Sequence, residues 1–536
     1  MNAYLLSGYF MKAFEGATRS SLWSILMIVL VFAGCASTSG KEGIDSAEQE
    51  GAQITLYLNG PERTSENISF ELSAVNITSD KGVSFDILSN PMDINSLDVT
   101  GRQLRLGERF IPEGRYKKIR IMVKKASIRR NDRAADLAMP TEGIELPVDM
   151  NLQKNMNTSL FLSWNPDASV SDGYLFKPLF IIKKEAPELR TLLVYVTNEG
   201  SNNVSVINRQ TDEVVGTILA GKRPRGITVN PRKERLKVYV ANSFSNTISV
   251  IDPNTNTVEN EVEVRFGRQP EDIAVARISS QDDLIFVANY GSDNVSLINA
   301  MTLREFDRVD VGNGPVAVAV DPPVEILAEA RSLSQPDMNT LRAYREKYLN
   351  VYVANKNSKS VSVLKINRAA MRCEEVTNIE VGWNPAALYV DYARGRVYVA
   401  NYNFNDLSVI NIPELVRGNT ARAVFAIKDV GHTGTGVFSD PTFDRLYLLK
   451  DMPGEIVIMR LLEGLMPAAQ STMPTIMGII PVGNSPRAFM LDPEGRKIYV
   501  VIRGEDSVMV FDKTTKKKER VIPVGKRPYG LTMFSR

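Results

Sequence analysis

A pentapeptide that returns seven times constrains this chain more than any other feature. Residues 194–198 read Val-Tyr-Val-Thr-Asn, and close copies begin at Val238, Ile285, Val351 and Val397. Two degenerate copies begin at Leu446 and Ile498. The starts lie 44 to 52 residues apart, apart from one gap of 66. Each copy continues the same way. A short turn leads to a second strand such as Val204-Ser205-Val206-Ile207. A third ends in Gly with Pro three residues later, as in Gly221/Pro224, Gly267/Pro270, Gly312/Pro315, Gly382/Pro385, Gly483/Pro486 and Gly525/Pro528. The fifth repeat has Gly431 and Gly434 instead. A fourth strand follows. Internal repetition with four short strands per unit is the signature of a β-propeller, here with seven blades. Each sequence repeat starts on a blade's second strand and ends on the next blade's innermost one. The final strand, Tyr529 to Phe534, must therefore pair beside the first, Val194 to Val196, and remove the open edge.

On these residues the repeats resemble the YVTN family of propeller repeats, over residues 190–536. The alternation lets aliphatic side chains enter the space between blades. The Asn that ends the first five copies suits a turn in which it bonds its own backbone, and Gly and Pro set the reversal into the inner strand. The 66-residue gap holds extra sequence, 323–349, whose composition and spacing predict a helical insertion. It falls on the face opposite the Gly-x-x-Pro loops and reads as a surface cap.

Upstream, period-2 runs at Ile54 to Leu58, Ile68 to Leu72, Tyr116 to Val123, Ser159 to Trp164 and Leu175 to Ile182 are broken by Gly, Pro, Asn and Asp. They predict an antiparallel β-sandwich over 53–187, so the chain is all-β. Val75-Asn76-Ile77-Thr78-Ser79, Ile94-Asn95-Ser96-Leu97, the stretch from Ile111-Pro112-Glu113-Gly114 to Arg120, and Tyr174-Leu175-Phe176-Lys177-Pro178 resemble the bacterial domain of unknown function 4382. That resemblance implies no chemistry. The basic run Lys117, Lys118, Arg120, Lys124, Lys125, Arg129 and Arg130 reads as a solvated strand face.

The N-terminus reads as an export signal. Lys12 and Arg19 precede an apolar run, 22–32, that is shorter than the ~20 residues a bilayer takes. Ala33-Gly34-Cys35 follows, and this resembles the lipobox of bacterial lipoproteins, with Phe32 where an aliphatic residue is usual. Residues 1–34 are then the signal peptide, cleaved before a diacylated Cys35, and 35–52 a polar tether. A start at Met11 would give a more usual signal length. Ala36 and Ser37, with no Asp after the Cys, imply by that resemblance the outer membrane of the cell envelope.

Composition bears mainly on chemistry. Lys+Arg is 64 against Asp+Glu 62, a net charge of +2 that gives no whole-chain argument for nucleic acid. The one His, His432, excludes multi-histidine metal sites, and no Cys-x-x-Cys-His string exists for haem attachment. With Cys35 lipidated, Cys373 has no disulfide partner and reads as a small apolar filler. The Gly-x-x-Pro loops should converge on one mouth of the central channel. They bring Lys222, Arg223, Arg225, Arg268, Glu271, Asp272, Asn313, Trp383, Asn384, His432, Asn484, Ser485, Arg487, Lys526, Arg527 and Tyr529. Seven cations face two carboxylates there, with the charge concentrated where repeats one, six and seven meet. The candidate binding face is Lys222, Arg223, Arg225, Arg268, Trp383, His432, Arg487, Lys526, Arg527 and Tyr529. The chain reads as a non-enzymatic, membrane-anchored binding protein with no cofactor or metal, its partner an envelope protein or an anionic ligand such as a glycan. The alternative is a propeller enzyme of the lactonase or quinoprotein-dehydrogenase kind, which would need carboxylates and Asn or His gathered at the mouth. A purely structural envelope component is the third reading.

Overall fold

A computed structural model describes residues 51–131, 133–139, 143–185, 192–330, 333–440, 444–460, 471–472 and 474–534. The stretch read as a signal peptide, Cys35 and nearly all of the expected tether lie outside the described residues. Glu50–Arg536 form one compact unit.

Seven sheets of four or more strands make the propeller. The first blade is Leu193–Asn198, Asn203–Asn208 and Glu213–Leu219, with Pro528–Met533 as its innermost strand. Val194 pairs with Met533, Tyr195 with Thr532 and Val196 with Leu531, so the chain closes its ring as the repeat phase requires. The six further blades start at Pro224, Pro270, Pro315, Pro385, Gly434 and Pro486. Blade five carries a fifth strand, Ser471–Thr472, in parallel with Val424–Lys428.

Every second strand is buried on both faces. Val194 and Val196 pack against blade seven, while Tyr195 packs against blade two. The tyrosine therefore enters the inter-blade space as the aliphatics do, and its hydroxyl donates to Asn256 Oδ1 at 2.8 Å. The Asn ending each strand departs from the turn role expected of it. Asn242, Asn289 and Asn401 donate from Nδ2 to Ser249, Ser296 and Ser408 at 2.9, 2.8 and 2.9 Å, seven residues on. Each amide then lies under the glycine of the incoming loop. A Cβ on Gly267 would stand 2.2 Å from the Asn289 amide, and one on Gly525 would stand 2.6 Å from that of Asn198. The glycines answer to this close approach. Where the Asn is lost, other contacts replace the pair: Lys450 donates to Glu455, five residues on, at 2.9 Å, with Val457 in the serine's place, and Ile502 packs with Met509, seven residues on, in an apolar core.

The insertion forms a 3-10 turn, Val324–Glu329, and a helix, Gln335–Lys347. Leu327 and Leu341 pack on Tyr352, Tyr392 and Ile412, so it caps blades four and five.

The sandwich stacks a four-stranded sheet on a six-stranded one around Ile54, Leu56, Phe70, Ile119, Ile121 and Trp164. It is mostly antiparallel, but Ala52–Asn59 runs parallel to Asn157–Asn165. About a hundred residues separate these strands, enough for the crossover that parallel pairing needs. Ala52–Asn59 is buried on both faces. Ile54, Leu56 and Leu58 fill the sandwich core, while Tyr57, stacked on Phe161 at 5.5 Å, joins the core between blades one and seven. Around it Gln103 both accepts from Val214 N at 2.9 Å and donates to Val214 O at 3.0 Å. Gln53 donates to Ser201 O at 3.2 Å. The Glu185 carboxylate accepts from Ser159 N of the sandwich and Thr217 N of blade one, bridging the two domains.

Ring closure rests on one strand. Leu531, Met533 and Phe534 are all buried, and each contributes roughly 1.5–3 kcal/mol. Deleting 529–536 also leaves an unpaired edge on Leu193–Asn198. That loss rivals the whole ~5–15 kcal/mol margin of a domain. The truncated protein should aggregate or melt far below the full chain, measured by calorimetry and size-exclusion chromatography; unchanged melting and solubility would refute this closure.

Candidate functional site: the channel mouth

The third residue of every Gly-x-x-Pro loop sits in the left-handed region: Arg223, Gln269, Gly314, Asn384, Thr433, Ser485 and Arg527 all have φ between 51° and 66°. Side chains of the preceding blade hold several of these turns. Asn202 Oδ1 accepts from Arg223 N at 2.8 Å, and Asp506 Oδ1 accepts from Arg527 N at 2.7 Å. Just past the Pro, each inner strand carries one extra residue relative to its partner. Such a bulge re-aims a side chain. The residues it turns into the channel are Arg225, Glu271, Val316, Ala386, Thr435, Arg487 and Tyr529, one per blade, and they line a mouth cavity of 400 Å³. A second tier comes from the residue after each repeat's pentapeptide. Tyr290, Lys356, Tyr402, Asp451 and Arg503 line the same cavity, while Glu199 is buried beside it.

Electrostatics centre on Glu199. Its carboxylate pairs with Arg223, with Arg225 at 3.1 Å and with Arg503 at 3.2 Å, and Arg527 reaches to 4.0 Å. Burial pushes the Glu199 pKa up, but attraction to Arg225, the hydrogen bond from Arg223 and the charge of Arg503 outweigh it and bring it down to about 2. Arg225 also pairs with Glu271, which accepts from the Tyr529 hydroxyl. Arg487 donates to the same hydroxyl. Both guanidiniums lie over the Tyr529 ring, 5.1 Å from its centroid for Arg225 and 4.5 Å for Arg487. Asp272 accepts from Val318 N at 2.9 Å. Burial pushes its carboxyl up to about 7 against the backbone hydrogen bonds of Val318 and Ile273.

The structure divides the expected face in two. Arg225, Arg487 and Tyr529 line the channel. Lys222, Arg268, Trp383, His432 and Lys526, each directly after a loop glycine or its equivalent, stand exposed on the rim. Arg223 folds back onto Glu199, and Arg527 stands exposed with its guanidinium turned toward the same carboxylate. Glu271 stands inside the cationic sector expected where repeats one, six and seven meet: it pairs with Arg225 of the preceding blade, and ring closure brings the Tyr529 hydroxyl to it. Glu199 is the residue sequence reasoning missed. The signal was present, because aligning the pentapeptides and reading one position further gives Glu199, Ser243, Tyr290, Lys356, Tyr402, Asp451 and Arg503. Cation excess remains: Arg223, Arg225, Arg487, Arg503 and Arg527 share Glu199 and Glu271, while Lys356 and Asp451 on the cavity wall add one charge of each sign. The basic run of the sandwich is different in kind. Lys118 and Arg120 meet Glu145, Lys125 meets Glu71 and Arg130 meets Glu66, all at the surface. Among the described residues no group of three His, Cys, Asp or Glu could hold a metal ion.

Comparison with known proteins agrees with this architecture. Residues 52–178 match the family model described as Domain of unknown function (DUF4382). No curated protein matches the chain. Among solved structures, a functionally unknown protein from Desulfotomaculum acetoxidans is 10% identical with a TM-score of 0.50, covering 64% of this chain and 99% of its own. Hydrazine synthase from Kuenenia stuttgartiensis is 17% identical with a TM-score of 0.48, covering 61% and 93%. A candidate 6-phosphogluconolactonase from Bacteroides uniformis is 14% identical with a TM-score of 0.48, covering 65% and 100%. These likenesses concern the fold.

Glu199 gives a signed pH test. Its ordinary pKa of 4.5 falls to about 2 in the folded chain, which corresponds to about 3 kcal/mol. That stability is fully present above pH 4.5 and is lost as pH falls toward 2. Glu199→Gln should therefore destabilise the protein by about 3 kcal/mol at pH 7, where it strands the buried guanidiniums. The gap to wild type should close with acidification, followed by denaturant titration at several pH values. A gap that is constant with pH would mean that Glu199 acts through shape alone.

Proposed function

We propose that this chain is an envelope-anchored bacterial lipoprotein, held in the outer membrane by acyl chains on Cys35, whose propeller of YVTN-type repeats is a non-enzymatic binding scaffold. Its mouth receives a group bearing a carboxylate or phosphate. One observation carries this reading: around the mouth five guanidiniums share two carboxylates, and two of them lie over one tyrosine ring. Such an excess in a walled cavity attracts anions, and guanidinium forks match carboxylate and phosphate geometry. The donors are held before any ligand arrives, because the αL turns and bulges fix where the side chains leave the backbone. Glu271 is engaged by Arg225 and Tyr529, which supports binding rather than metal-assisted hydrolysis. The sandwich, docked on blades one and seven, acts as the base on which the propeller is mounted.

Two measurements test this reading. Cys35→Ala should abolish palmitate labelling and membrane fractionation; labelling that survives would remove the anchor. Titration calorimetry with glucuronate and with inorganic phosphate should show binding that weakens with salt, as the Debye length shrinks from about 10 Å at 0.1 M to about 3 Å at 1 M. Arg487→Gln should weaken it about tenfold or more, the worth of a charge-assisted hydrogen bond. Equal affinity in that variant, with an unchanged melting temperature, would rule out the channel as the anion site.

A further inference from the structure

We infer that the mouth face of the propeller lies against an anionic lipid leaflet, so that lipid phosphates supply the anion. This rests on the anion-site reading above and deepens it.

Where the described chain begins is the first observation. Gln53 bonds Ser201 in the turn after the first pentapeptide, and Ser201 Oγ accepts from Lys526 N at 2.8 Å, on the mouth rim. The far end of the same strand, Asn59, lies beside Gln103, which bonds Val214 near the opposite face. Ala52–Asn59 thus begins on the mouth side and runs away from it. Fifteen residues, 36–50, separate Cys35 from the first described residue. They span roughly 50 Å at most, so an acylated Cys35 ties a point on the mouth side to within that distance of the leaflet.

The second observation is the composition of the face. Its loops and turns expose Phe244, Phe266, Trp383, Phe404 and Met452, distributed from blade two to blade six. Among the described residues, the turns of the opposite face expose one large apolar side chain, Met301. Phe244 N donates to Lys222 O, and Asn403 N to Trp383 O, so the aromatic turns and the loops carrying the rim cations are tied together. Exposed aromatics interleaved with Lys222, Arg268 and Lys526 match the polar–apolar boundary of an anionic leaflet: rings settle at headgroup depth and cations pair with phosphate. Acyl anchors and a basic patch are the paired signals that give stable membrane attachment.

The test uses the chain from Ala36 onward, which has no acyl group or signal and keeps the whole compact unit from Glu50. It should sediment with vesicles of phosphatidylglycerol and phosphatidylcholine in equal parts, and not with phosphatidylcholine alone. Trp164 is 2% exposed and Trp383 is 51% exposed, so Trp383 reports contact as a blue shift in emission. Phe244→Ser/Phe404→Ser and Lys222→Glu/Lys526→Glu should each lower vesicle binding about tenfold at unchanged melting temperature. Failure to bind anionic vesicles at low salt, or variants that bind as wild type does, would overturn the docking. Phosphate binding that persists without vesicle binding defeats the docking alone and leaves the anion site standing. Vesicle binding that persists while Arg487→Gln has no effect on free phosphate defeats the channel site and leaves the docked face.

Discussion

The pairing of Pro528–Met533 beside Leu193–Asn198 holds everything else in place. Without it seven sheets form an open arc with two bare edges. With it, the channel acquires a complete wall, and residues more than 250 positions apart become neighbours. Glu271, Arg225, Tyr529 and Arg487 come from four blades that are consecutive only in the closed ring. The mouth site is thus a property of closure. A blade could fold its four strands locally, but no single blade could assemble a tyrosine ring with two guanidiniums over it.

Closure alone would leave the mouth imprecise. Precision comes from three repeated local devices: the left-handed residue before each Pro, the bulge after it, and the amide packed under the loop glycine. Each has a steric reason for its residue types. A non-glycine residue in the left-handed region costs about 1 kcal/mol, and Arg223 and Arg527 accept that cost where their guanidiniums turn toward Glu199. Where the Asn gives way to Lys450, the ammonium pairs with Glu455, five residues on, and where it gives way to Ile502, Met509 takes the serine's place in an apolar core. The degenerate blades replace the Asn–Ser pair by other contacts.

Much of this was legible in the residues. The repeat phase dictated the closing strand, and Gly-x-x-Pro placed the mouth loops. Three things were hidden for physical reasons. Glu199 follows an unremarkable Asn, and its importance depends on four arginines that arrive from three other loops and turns. The bulge that separates channel-lining Arg225 from rim-standing Lys222 is a matter of register, which spacing in one strand does not encode. The second face of Ala52–Asn59 carries the polar Gln53 and Thr55, and nothing in the strand's alternation says what covers them. In the structure both are buried and Gln53 bonds blade one, so the polarity marks a hydrogen-bonded docking surface. Period-2 alternation reports which residues share a face, not what covers it.

The account stands or falls on whether an anion occupies the channel mouth. A crystal soaked in selenate, read by anomalous scattering, addresses this directly. The account predicts a peak within hydrogen-bonding distance of the guanidiniums of Arg225 and Arg487, beside the Tyr529 ring. A mouth that stays empty at saturating selenate, or peaks confined to the rim at Lys222 and Lys526, would contradict it.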